Sequence, residues 1–283
     1  MRKEVEEMKK TKKSEGIESR FKDLTEFEEP LITVLWGRSG TGKTTLSSSW
    51  PKPILLLDVK DKGAESAKSK DLKKGDIVVL EIEHFDDFAE VLDYLEANPN
   101  KFKTVVIDHM TTVQELANRK VMEEENKTRM TTPLFGASSG LLKNMILDFR
   151  QLVDEGIYPV FLAQDRTDEI ETSDNDSLDP EVGPAMTPAV QKFLISSAKI
   201  VGRTYIAHRE EKVKEDNKIV KKDVIEFRLL VGPNPYYATK IRKPKGSYCP
   251  DYLVNPSFED LMKITRGDYE EQAPKIKKSK KSK

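Results

Sequence analysis

Gly37-Arg38-Ser39-Gly40-Thr41-Gly42-Lys43-Thr44 follows an apolar run, Leu31 to Trp36, and opens a short segment of helical character. The spacing is that of a phosphate-binding loop, and each residue type has a task in it. Glycines let successive backbone N–H groups close around phosphate oxygens, the Lys43 ammonium reaches the β- and γ-phosphates, and the Thr44 hydroxyl ligates Mg²⁺. A helix starting at Gly42 would add its dipole to that charge balance. The strand before and the helix after separate this stretch from a chance glycine-rich turn, so Gly37 to Thr44, with Thr45 behind them, form the expected nucleotide site.

Outward from the loop, short runs rich in Val, Ile and Leu recur at Ile54 to Asp58, Ile77 to Ile82, Thr104 to Asp108 and Tyr158 to Ala163. Continuous apolar runs of this length suit strands buried on both faces. Between them Phe88, Val91, Leu92 and Leu95 mark one amphipathic helix. Leu141, Leu142, Met145, Ile146, Phe149, Leu152 and Val153 mark a stronger one, stopped by Gly156. The pattern predicts a parallel sheet with crossover helices.

Residues 165 to 187 break the alternation. Eight acids lie between Asp165 and Glu181, against the single Arg166, with turn formers throughout, which predicts a long mobile loop. Thr187-Pro188 offers an N-cap and a first-turn proline for a helix to about Ala198. Beyond it Lys199 to Ala207, Val224 to Val231 and Tyr236 to Arg242 read as antiparallel strands, with residues 215 to 218 as a hairpin turn. Ser257 with Asp260 caps a last short helix. The expected organisation is a charged tail or lone helix over 1–28, a core over 29–264 and a basic disordered tail over 265–283.

Composition narrows the setting. The net charge is −1, yet Ala273 to Lys283 carry six lysines and no acid. Cys249 is the only cysteine, which excludes a disulfide framework within one chain and fits a reducing compartment. No stretch approaches the ~18–20 apolar residues of a membrane span, and Met1 to Lys13 lack the apolar centre of a secretory signal. A cytoplasmic protein without a membrane partner is expected.

Further residues carry chemistry. Asp108 ends an apolar strand, the form of an acid that holds Mg²⁺ through water, and a parallel sheet would bring it to the same carboxyl edge as Lys43. Ile54 to Asp58 supply another strand between the two motifs, followed by Val59-Lys60-Asp61. Gln164 ends the Tyr158 strand, where an amide can feel the γ-phosphate. Lys240 and Arg242 fall on one face of a strand by period-two alternation, as either an anion seat or a solvated basic edge.

This order of phosphate loop, Asp58 strand, Ile77 strand, Asp108 strand, strand ending in Gln164, loop and Lys-x-Arg strand resembles the RecA-type ATPase core. The compact size, Thr104-Val105-Val106-Ile107-Asp108 and Val182-Gly183-Pro184-Ala185-Met186-Thr187-Pro188 look most similar to the small phage RecA-like recombinases of the Sak group, which act as single-strand annealing proteins. The resemblance spans roughly residues 30 to 245 and implies an α/β fold: a RecA-like P-loop ATPase core, mostly parallel, with a C-terminal antiparallel extension. It implies ATP and Mg²⁺ at Lys43, Thr44 and Asp108, coupling of ATP to DNA through Gln164, and Lys240 with Arg242 as cationic fingers in a neighbouring subunit's site. The family's catalytic carboxylate stands two residues after the Asp58 position. Lys60 occupies it here, which implies slow hydrolysis unless Asp61 or another nearby carboxylate serves as the water-orienting base.

The implied partners are single-stranded DNA, further copies in a ring or filament, and a single-strand DNA-binding protein, in the host cytoplasm if the chain is phage-encoded. DNA would meet Lys127 to Ser139 and the margins of the 165–187 loop, Arg166 and Lys192, because acids in that loop's middle repel phosphate. The lysine tail would add unspecific attraction. Two rival readings stay open: a nucleotide-gated switch acting on a protein partner, and a helicase-like motor.

Overall fold

A computed structural model describes residues 31–60, 63–166, 182–215 and 218–270, with backbone alone over 211–215 and 218–222. The N-terminal segment 1–28, Asp61, the middle of the acidic loop and Lys275 to Lys283 lie outside the described residues.

The five apolar runs are strands: β1 (Thr33–Trp36), β2 (Ile54–Asp58), β3 (Ile77–Glu81), β4 (Thr104–Asp108) and β5 (Tyr158–Ala163). They hydrogen-bond in parallel in the order β3-β2-β4-β5-β1, and β6 (Ile200–Glu215) adds to β1, also in parallel. After β6 the pairing turns antiparallel: β7 (Lys218–Leu230) and β8 (Lys240–Ile241) both pair with β6, and β9 (Tyr252–Val254) pairs with β7. The expected mostly parallel sheet with an antiparallel extension is therefore present.

Helices cover both faces of the inner strands, while the edge strand β3 leaves Val78, Val79 and Leu80 exposed rather than buried as expected, and the strands' alternation sorts the side chains between two cores. Val34, Trp36, Val105 and Ile107 join the core built with α2 (Asp87–Ala97), α3 (Met110–Glu124), α4 (Thr132–Gln151) and α5 (Pro188–Ser197). Leu35 and Val106 point the other way, to α1 (Lys43–Ser47) and α6 (Phe258–Arg266). Phe149, fully buried, meets Phe88 and Phe161 edge-on at 6.1 and 6.5 Å, so truncating it to alanine would cost about 3–5 kcal/mol.

Several boundaries differ from expectation for physical reasons. The segment Lys127 to Ser139 is loop only as far as Thr131, because Pro133 in the first turn starts α4 early. The Tyr236–Arg242 strand shrinks to Lys240–Ile241, since Asn234 Oδ1 accepts from the Tyr236 and Tyr237 amides and holds a turn there. Thr187 is the N-cap residue of α5 and Pro188 opens its first turn, as expected, but the Thr187 side chain makes no cap bond. Its amide donates to Gln114 Oε1 at 2.7 Å, and its buried hydroxyl has no hydrogen-bond partner among the described residues. The folded body also passes residue 264: Thr265 is buried, and Tyr269 stacks on Tyr248 with ring centroids 6.3 Å apart. Ser257 and Asp260 form the expected capping box.

The largest departure is a ribbon. β1 pairs with β6 only through Arg203, but β6 and β7 stay paired from Arg203↔Leu230 to Glu215↔Lys218. Thr204 to Glu215 thus continue beyond the carboxyl edge of the parallel strands for about 40 Å at ~3.3 Å per residue.

Candidate nucleotide site

Parallel strands deliver their carboxyl ends to one edge, and the phosphate loop sits there between β1 and α1. Its backbone fits glycine's range. Gly42, the N-cap of α1, has φ 88°, and Gly37 has φ 152°. A Cβ at Gly37 would stand 2.6 Å from Thr204 Oγ1 and closer still to the Thr204 carbonyl oxygen. The loop is pressed against β6, and only a residue without a side chain fits.

Hydrogen bonds close the loop on itself and on the sheet. The Gly37 amide donates to Ala163 O at 3.2 Å. Buried Lys43 donates from Nζ to Gly37 O at 2.8 Å and Arg38 O at 2.9 Å, so its ammonium lies inside the cradle. Thr41 Oγ1 donates to Arg38 O and shares a 2.7 Å hydrogen bond with Thr204 Oγ1. Thr45 Oγ1 donates to Ser66 O at 3.0 Å. Gly40 is also in the left-handed region, while Arg38 and Ser39 are exposed.

The metal-binding expectation joins residues 64 positions apart. Thr44 Oγ1 donates to Asp108 Oδ2 at 2.6 Å, a short charge-assisted bond. A hydroxyl and a carboxylate oxygen at one point are hard donors of the kind Mg²⁺ takes alongside waters and substrate phosphates. Among the described residues no group of three or more His, Cys, Asp or Glu could hold a metal ion.

Residues 29–242 match a family model described as an AAA domain. The chain belongs to that family. It carries an ATP-binding, ATPase-type P-loop core, and the mixed, mostly parallel sheet is the fold such a core requires. No curated protein matches this sequence. No described helix of the AAA domain chain is long and apolar enough to cross a membrane.

The AAA domain places the remaining expected residues unequally. Gln164 follows β5 directly and lies at the same edge, its amide nitrogen 3.0 Å from His109 Nε2. Lys240 and Arg242 share a face as expected, but that face looks at the C-terminus of α5. Lys240 Nζ donates to Ile195 O at 2.6 Å and Ser196 O at 3.2 Å, and Arg242 Nη2 donates to Ser196 O at 3.2 Å. Burial pushes the Lys240 ammonium below its ordinary pKa. Lys240 is level with Val34, about 10 Å along the strand from Gly37 and two strand spacings aside. The two cations are not gathered at their own chain's phosphate loop.

Lys60 is exposed and has φ 60°, in the left-handed region. It shares a cleft of about 360 Å³ with Asp58, Glu81, Ile82, Glu83 and His84. Asp58 is buried and is the register partner of Asp108 across β2 and β4.

Sequence reasoning missed three contributors. Thr204 carries no motif and becomes visible only through the β1–β6 register. Phe227, on the ribbon, lies 3.3 Å from where a Gly42 Cβ would be. With Thr41, Thr45, Leu46, Asn255 and Pro256 it lines a cavity of about 200 Å³ beside the loop. His109 had one available signal, its place directly after Asp108.

Proposed function

We propose that this chain is a RecA-like, Mg²⁺-ATP-dependent protein of the Sak-type recombinase group, which uses nucleotide to control its hold on single-stranded DNA. The observation that carries the reading is the stem of the 165–187 loop. Asp165, buried next to Gln164, stands 3.9 Å from Arg38 of the phosphate loop and 3.9 Å from Arg203 at the ribbon's root. The stem is further held by Ala185 N donating to Gln164 O and Arg166 N donating to Gly183 O. A phosphate arriving at the loop competes with Asp165 for Arg38, so nucleotide state changes the charge balance at the loop's root.

In this reading Lys43 and the loop amides take the phosphates, Thr44 and Asp108 take Mg²⁺, and the nucleoside extends toward the cavity at Phe227. Gln164 reports the γ-phosphate to the loop. Lys240 and Arg242, turned from their own site, act on a neighbour's in a ring or filament. DNA meets residues 127–131 and the margins Arg166 and Lys192.

A second reading, a switch acting on a protein partner, is favoured by one observation. Ile206, Ile225 and Phe227 are exposed on one face of the ribbon beside the phosphate loop, a contiguous apolar patch suited to protein rather than to phosphate backbone. Anisotropy titration of a labelled single-stranded oligonucleotide, with and without Mg²⁺-ATP, decides between them. The recombinase reading expects sequence-independent binding that tightens with ATP and weakens with salt, each phosphate contact adding ~0.7 to the slope. No binding at low salt with Mg²⁺-ATP would leave the protein-partner switch.

A further inference from the structure

His109 follows the metal-site carboxylate directly and is buried to 5 % exposure, as the N-cap of α3. An imidazole in such a place is costly unless its ring nitrogens are matched. Gln164 Nε2 lies 3.0 Å from His109 Nε2, and Thr112 Oγ1 lies 3.3 Å from His109 Nδ1. A neutral imidazole has one N–H and one lone pair. With the Gln164 amide nitrogen toward the ring, Nε2 accepts and Nδ1–H is left for the Thr112 hydroxyl; with the amide turned over, Nε2–H donates to Gln164 Oε1 and Nδ1 accepts from Thr112 N at 3.4 Å, the N-cap bond of α3. The Thr112 amide also donates to His109 O at 3.1 Å. Either arrangement pairs the ring with the side-chain amide of Gln164.

The consequence concerns Gln164 more than His109. A glutamine at a strand end has three side-chain torsions, and a group that senses one phosphate must be held before that phosphate arrives. Two bonds hold it: the side-chain amide on His109, and its backbone amide, which donates to Thr111 Oγ1 at 3.4 Å. Both partners lie at the start of α3, immediately after Asp108, so the metal strand and the sensor strand are tied at the edge where the nucleotide binds.

We infer that His109 is a positioning residue: its imidazole sets the side-chain amide of Gln164, and through Gln164 the preference of the site for ATP over ADP. The inference rests on Gln164 as the γ-phosphate sensor but not on DNA binding. Asparagine separates the two roles of His109, because it is a good N-cap for α3 yet too short to reach Gln164. Glutamine reaches further and restores a hydrogen-bonding partner for the Gln164 side chain.

The test is the equilibrium affinity of full-length protein for Mg²⁺-ATPγS and for Mg²⁺-ADP, with melting temperature measured alongside. The expected result is that H109N melts like wild type but loses about 10-fold of its preference for the triphosphate. Gln164→Ala should lose the same amount, the double variant no more, and H109Q should recover part of it. Unchanged preference in H109N would overturn the inference and leave His109 as a helix cap. An equal loss for both nucleotides would overturn it as well, showing general damage to the site. If Gln164→Ala keeps the preference, the sensor reading falls and takes the inference with it, while Lys43→Ala still shows whether the phosphate loop binds nucleotide.

Discussion

Replacing Gly37 by alanine tests how tightly the phosphate loop is held against β6. The new Cβ would stand 2.6 Å from Thr204 Oγ1, whereas ordinary contact begins near 3.4 Å, so the loop must retreat by at least about 0.8 Å. Rotating the Thr204 side chain cannot relieve this, because the Thr204 backbone carbonyl is closer still. Overpacking of this kind costs about 1–3 kcal/mol of stability, and a displacement near 1 Å costs about 10²-fold in turnover. Gly40 is the control. It too has a positive φ, 78°, but a Cβ there meets nothing within 4 Å, so Gly40→Ala should cost only about 1–2 kcal/mol. Thermal unfolding and ATPase rate at saturating ATP, measured on both variants, read the two effects. Gly37→Ala with stability and turnover within twofold of wild type would refute the packing argument, as would Gly40→Ala proving the more damaging of the two.

Three other outcomes are expected. If Lys240 and Arg242 act across a subunit boundary, Lys240→Ala or Arg242→Ala should lose ~10³-fold in ATPase activity, and mixing either with Lys43→Ala should restore a fraction of sites; full turnover in a monomer would contradict this. Lys60→Glu should raise turnover without lowering the melting temperature, since either residue bears the same left-handed backbone cost, and a lower rate would count against the expectation that Lys60 slows hydrolysis. At the ribbon's root Arg228, at 2.6 Å, holds the Glu226 carboxyl below its usual value of 4.5, with Arg209 adding at 3.4 Å. A lowered carboxylate pKa stabilises the fold above the unfolded value and is lost as pH falls through the folded one, so wild type should lose melting temperature below pH 4.5 more steeply than Glu226→Gln; parallel acid limbs would refute the link.

The parts of the site built from local chemistry were legible. The Gly37 to Thr44 spacing names its ligand, and five apolar runs imply parallel strands that must deliver Lys43, Asp108 and Gln164 to one edge. What depends on register was not legible. Thr204 reaches the phosphate loop only because β6 pairs with β1 at Trp36↔Arg203, and Phe227 only because β7 returns in antiparallel register. Period-two alternation placed Lys240 and Arg242 on one face, but nothing local says that the face meets the end of α5. The long ribbon was read as shorter strands because its outer half is charged and lacks the apolar signature of a buried run.

The central claim is that Lys43, Thr44 and Asp108 form one Mg²⁺-ATP site, joined by the 2.6 Å bond between Thr44 and Asp108. Calorimetric titration of ATP into wild type, Lys43→Ala and Asp108→Asn, each with Mg²⁺ and with a chelator, tests it most directly. The account predicts no measurable binding in Lys43→Ala, and in Asp108→Asn retained ATP binding that no longer responds to Mg²⁺. Wild-type affinity in Lys43→Ala, or an undiminished Mg²⁺ response in Asp108→Asn, would contradict it.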